Sequence, residues 1–201
     1  MVIDFSPVAN GDMKLLEFSQ QFSVDDLRRV TNDSIDLILD IIKDLNDAEV
    51  VFEPSDPEAD DPYAVEGEEK IGWNIGHLVV HVTASSEEWA TYSSILARGV
   101  PYPAEPRLRY ETPWRDIQTK AQAVQRLEES RRIRLSYLDA WPDKPDLNLY
   151  RALSPRFIER VGEINATAAF LYGLRHEADH YDQIRDVTRQ AIAARALQSG
   201  D

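Results

Sequence analysis

From residue 24 onward the apolar positions recur at helical spacing. Leu27, Val30, Ile35, Ile38, Ile41, Ile42 and Leu45 fall mostly three or four apart, the period that lines one face of an α-helix. The pattern predicts a first long helix over 24–46, opened by Ser23 and Asp26 as a capping box with Asp in place of Glu. Residues 1–22 carry mixed signals and are expected to form an arm or short helix. A second helix is expected over 72–97, where Trp73, His77, Val80, His81, Ala84, Glu88, Ser94 and Ile95 lie near one broad stripe. Gly99 and Pro101 supply its stop. A third is expected over 113–140, with Thr112 as N-cap, Pro113 in the first turn, and Ile117, Ala121, Val124, Leu127, Leu135 and Leu138 along its apolar face. The last runs over 163–196 through Ala168, Leu171, Leu174, His176, His180, Ile184 and Val187.

Three proline-bearing stretches separate these helices. The first, 49–72, holds Pro54, Pro57, Pro62 and many acids, and is longer than an ordinary connection; it is expected to be a mobile loop. The second covers 98–112. Pro142, Pro145 and Pro155 mark the third, in which Ser154-Pro155 opens a short helix. Arg131, Arg132 and Arg134 interrupt the stripe of the third helix, as a solvated face suited to a helix C-terminus or as an anion-binding rim over a site. No run reads as a strand, and there is no internal repeat. Four long amphipathic helices predict an all-α four-helix bundle, a single domain over 1–201 with its core in about 24–196.

Composition narrows the function. The formal net charge of −14 repels phosphate backbones and anionic lipid heads, which argues against nucleic acid as a partner. No apolar run approaches the roughly 18–20 residues of a membrane span. Met1 to Ser6 shows no basic region leading into an apolar stretch, so no secretory signal is expected and a cytoplasmic location is. Cysteine is absent, which removes disulfides, thiolate ligands and a cysteine nucleophile together.

The chemistry concentrates in the histidines. All four form two pairs of identical spacing, His77 with His81 and His176 with His180. Four residues on a helix put two side chains on one face, one turn apart. Two such helices packed side by side would make a metal site of three or four imidazoles. Neutral imidazole suits zinc, nickel, iron or copper, with zinc or nickel the expected divalent ion. Three imidazoles leave a position open, as in catalytic sites; four would close it. The plain alternative, histidines as surface or core residues, would leave up to four polar groups on apolar stripes. His176-Glu177-Ala178-Asp179-His180 also matches the zincin pattern, but no His or Glu follows His180, so a further ligand must come from upstream.

At these residues the chain resembles the DinB/YfiT-like superfamily. Gly72-Trp73-Asn-Ile-Gly-His77-Leu-Val-Val-His81 is similar to the family's motif on the second helix. His176-Glu-Ala-Asp-His180-Tyr-Asp-Gln183-Ile184 is similar to that on its last. Trp73 to His81 matches mycothiol-dependent maleylpyruvate isomerase and the general pattern, which makes His81 the ligand with His77 beside it. Trp73 to His77 matches instead the DinB-like domain of ergothioneine-synthesising enzymes. The resemblance implies an up-down-down-up bundle, a metal held with His176 and His180, and a small-molecule substrate, often with a low-molecular-weight thiol as co-substrate. It also implies a metal-dependent S-transferase, isomerase or hydrolase, and the option of a homodimer. A different class remains open: a non-catalytic metal-binding or stress-response bundle with a closed site. Among nearby residues, Glu88 is a candidate to reach the cavity from two turns beyond His81. Glu88 and Glu177 are the candidates for a catalytic role, with Glu177 expected beside the ligands or on the surface rather than as a base. Tyr172 is a candidate to line the pocket, and Gln183 a candidate to hydrogen-bond a ligand imidazole.

Overall fold

The computed structural model describes residues 3–61 and 64–198; Met1, Val2 and Pro62, on which two of the readings above fall, lie outside them. Every regular element among the described residues is helical. Two short helices, α1 (Ser6–Ala9) and α2 (Leu15–Ser19), precede α3 (Val24–Ile42). Phe5, Val8, Leu15 and Phe18 are buried, so the leading segment packs onto the body of the protein.

The Ser23 box forms as expected: Ser23 Oγ accepts from the Asp26 amide and Asp26 accepts from the Ser23 amide. The helix stops at Ile42, short of residue 46. Asn46 and Glu49 close a second reciprocal cap and start α4 (Asp47–Val50).

The long helix α5 (Ile75–Ala97) starts three residues later than the apolar pattern suggested, because Asn74 is its cap and accepts from the His77 amide at 2.9 Å. Trp73 is thereby left ahead of the helix. Nearly every side of α5 is buried, as expected of a helix at the centre of a packed body. It ends where expected. Gly99 takes the left-handed conformation (φ 73°), and the Val100 and Gly99 amides bond back to Ile95 and Leu96, a Schellman closure.

The start expected at Thr112-Pro113 is not a helix start. Trp114–Asp116 makes a single 3₁₀ turn and α6 runs over Lys120–Asp139. The physical reason is the residue three positions on. Gln122 returns a hydrogen bond to Thr119 and completes a box, whereas Thr112 has the cation Arg115 at that place. The short helix α7 (Pro155–Val161) opens at Ser154-Pro155 as expected.

The last stretch is two helices: α8 (Ala166–Asp179), capped by Asn165, and α9 (Tyr181–Gln198). The break is at His180, whose amide bonds to the Glu177 carbonyl only three residues back, before the ladder resumes with Ile184 to His180.

Helix α5 packs on α6 and α8, and α3 on α6 and α9. The joint between α5 and α8 is the tightest. A Cβ on Gly173 would lie 3.0 Å from Ser86 Cα and 3.1 Å from Trp89 Cβ. Ser86 Oγ donates to the Gly173 carbonyl across it. The first half of α5 belongs to one apolar cluster with α3, α6 and α9, and its second half to another with α2 and α8. No helix among the described residues is long and apolar enough to cross a membrane.

Candidate metal centre

His81 lies in the second turn of α5, half-buried, His176 lies one turn before the end of α8, and His180 sits at the break. The fold brings these three together. One ring nitrogen from each lies within 4.8 Å of the others. The ring centroids form a nearly equilateral triangle of 4.9, 5.1 and 5.0 Å. His81 Nε2 and His176 Nε2 are 3.3 Å apart. Two nitrogens each about 2.05 Å from one tetrahedral ion are separated by about 3.3 Å, so the donor set fits a single divalent ion.

Electrostatics favour the ligand form of the rings. Burial pushes His176 down to about 3, with the neighbouring His180 and His81 adding to the effect. Burial also lowers His180. Both imidazoles are therefore neutral near pH 7 and carry a free lone pair.

The outer nitrogens are partly held. His180 Nδ1 donates to the side-chain amide oxygen Oε1 of Gln183 at 2.8 Å, which leaves Nε2 bare. Gln183 thus does what its place one turn after His180 suggested. His81 Nδ1 lies 3.7 Å from Glu111 and 3.3 Å from Arg109 Nη2. Arg109 also donates to the His81 carbonyl at 3.2 Å and to Glu111 through Nε at 3.1 Å. Although burial opposes it, hydrogen bonding to His81 and Arg109 holds the Glu111 carboxyl down at about 2. His176 Nδ1 is buried with no protein partner. Arg109 and Glu111 escaped the sequence reading because they lie on an irregular loop, where no periodicity ties them to His81.

His77 is not brought into this group. Its ring is sandwiched between Trp73, at 4.3 Å, and Trp114, at 5.1 Å and nearly parallel. Trp73 packs in turn on His81 and His180, at 4.6 and 5.9 Å. Trp73 thus lays apolar surface against the histidine triangle, and His77 with Trp114 stacks behind it. Trp114 reaches His77 because the chain makes its 3₁₀ turn there.

The remaining candidates divide. Glu177, expected beside the ligands or on the surface, is fully buried and does not face the cavity. It pairs with Arg134 Nη1 at 3.0 Å and accepts from Ser86 and from Tyr181. Arg134, read as part of a solvated face or a rim, is itself 1% exposed, because a core position on α6 meets that carboxylate. Arg131 instead pairs with Asp36 and Glu128. Glu88, also buried, accepts from Tyr92 at 2.8 Å and from Arg107 Nε at 2.9 Å. It lines the cavity, about 10 Å along α5 from His81. Tyr172 lines the same cavity, against Trp89 at 4.4 Å.

That cavity has a volume of about 1100 Å³ and runs from the acidic loop near Glu58, past the three histidines, to an aromatic end at Trp89 and Phe157. The loop, expected to be mobile, is tied down by Ser55 to Gln190 and by Arg115 to Glu68. A pocket of this size is large enough for a substrate and its partner.

A family model described as the DinB superfamily matches residues 31–184, a span that includes His81, His176 and His180. No curated protein and no solved structure matches the chain.

Proposed function

The chain belongs to the DinB superfamily, and on that premise we propose that it is a metal-dependent enzyme in which His81, His176 and His180 hold one divalent ion, zinc or nickel. The observation that carries the reading is the convergence of three ring nitrogens within 4.8 Å, from helices far apart in sequence, at the floor of a large cavity. The chemistry such an ion supplies when bound is Lewis acidity, which lowers the pKa of a water or thiol and polarises a carbonyl.

The protein's own groups set the rest. Gln183 fixes the His180 tautomer, and Glu111 with Arg109 orients His81. Trp73, backed by His77 and Trp114, keeps water from one side of the triangle, which strengthens the electrostatic contacts inside. Glu177 takes no part as a base, since its oxygens are committed to Arg134, Ser86 and Tyr181. The reaction is transfer to a low-molecular-weight thiol or hydrolysis of a small molecule. The resemblance of the two histidine motifs supports this choice. We also read α3, α5, α6 and the broken pair α8 and α9 as the up-down-down-up bundle of the family, in a single domain.

The closed, non-catalytic site has less support, because His77 is held in the tryptophan stack and does not stand as a fourth ligand. Elemental analysis of the purified protein tests the proposal: about one equivalent of metal is expected, lost in His180→Ala. X-ray absorption showing four nitrogens and no oxygen would favour the closed site. Metal-free protein that binds none when zinc or nickel is added would overturn both readings.

A further inference from the structure

The aromatic end of the cavity contains a cation that the metal chemistry does not use. Arg151 lies between α6 and α7, is 6% exposed, and lines the cavity. Its guanidinium sits 3.6 Å above the Tyr92 ring, with Tyr102 and Trp89 also within 6.0 Å. It donates to the carbonyls of Pro103 and Ala104 at 2.8 and 3.2 Å, which occupies two of its five donors. Arg151 Nε has no hydrogen-bond partner, and Arg151 forms no ion pair among the described residues. Of the acids in this wall, Glu88 is already engaged by Arg107 on both oxygens, and Glu105 accepts from the Arg107 amide. The Arg151 charge is therefore met by carbonyls and ring faces, and by no carboxylate within ion-pair distance among the described residues. Tethering two carbonyls does not require a charge, and burying an unpaired cation is costly.

We propose that Arg151 docks the carboxylate of an elongated substrate whose apolar body lies along Trp89, Phe157 and Tyr172 and whose reacting end reaches the three histidines. The shelf is continuous. Trp89 meets Tyr172 at 4.4 Å and Tyr172 meets Phe157 at 5.3 Å, and Tyr172 is one turn before His176 on α8. Tyr92, beneath the guanidinium, is about 16 Å from His81 along the α5 axis, which sets the length of the ligand. The orientation of that ligand rests on the metal reading above; the carboxylate subsite does not.

The test uses metal-stripped full-length protein and two probes of equal shape, 4-phenylbutyrate and its neutral amide, followed by calorimetry. The acid is expected to bind roughly 10- to 100-fold tighter than the amide. Arg151→Gln removes that preference, Arg151→Lys keeps part of it, and both keep the metal content of the parent. Because the glutamine variant can lose fold, the acid-to-amide ratio in the unmodified protein is read independently. Equal affinities, no detectable binding of either probe, or a preference that survives in a folded Arg151→Gln protein would overturn the proposal. A preference in a protein that takes up no metal would sink the metalloenzyme reading and leave the subsite standing.

Discussion

Arg134 and Glu177 meet at 3.0 Å with side chains 1% and 0% exposed, an ion pair sealed between α6 and α8 one residue from a metal-ligand candidate. Removing one member of a buried pair strands the other. Glu177→Ala is expected to cost roughly 3–5 kcal/mol, measured by denaturant unfolding. The paired change Arg134→Met with Glu177→Leu should restore most of that loss. A Glu177→Ala protein as stable as the parent would show that the pair is not closed to water in solution.

The three-histidine group and His77 should separate under mutation. His81→Ala, His176→Ala and His180→Ala each lose the bound ion, while His77→Ala retains it. Gln183→Leu still binds one equivalent at saturating metal, with affinity lower by about 10- to 100-fold. Dialysis against a graded metal buffer reads all five. Retention of the ion in His81→Ala together with its loss in His77→Ala would reverse the assignment on α5.

Burial holds His77 down at about 4, below its ordinary value of 6.5. The unfolded chain therefore takes up a proton at this residue before the folded one does. Its contribution to stability is fully present above about pH 6.5 and is lost as the pH falls toward about 4. His77→Phe keeps a ring between the tryptophans and removes the proton site. The melting temperature of the metal-stripped variant should fall less steeply than the parent's across that window. The slope that remains belongs to His176 and His180, which are lowered too. Parallel curves would discharge His77 from this role.

Gly173→Ala tests the joint between α5 and α8. The added carbon would meet backbone at Ser86, so the helices must part. A loss of about 1–3 kcal/mol is expected, with weaker metal binding, since Gly173 is one turn before His176. Unchanged affinity in that variant would mean that the spacing is set elsewhere.

The all-helical character was legible in the chain, because it rests on local spacing that helices translate directly into shared faces. That spacing offered His77 and His81 alike as partners of His176 and His180, and the choice of His81 came from the resemblance of Trp73 to His81 to the family's motif. The boundaries were less so. Apolar periodicity runs on through Ile42 to Leu45 and through Thr112 to Thr119, and only the reciprocal caps at Asn46 and Thr119 stop and start the helices there. The break at His180 has no signature among the residues around it. Arg109, Glu111 and Arg151 were invisible for one reason: each acts from irregular chain, where spacing says nothing about what a side chain will face. Arg134 read as a surface cation because its partner lies 43 positions away.

The close contacts of Gly173 are with the Cα of Ser86 and the Cβ of Trp89, atoms that every residue other than glycine supplies, one turn before the donor His176. The gauge that sets the imidazole separation is thus built into the skeleton of the molecule, not into the upholstery of the pocket. Side chains at the Phe157 end can be exchanged for larger or smaller ones without recalibrating it, so a change of substrate and a change of metal affinity are separable steps for this scaffold.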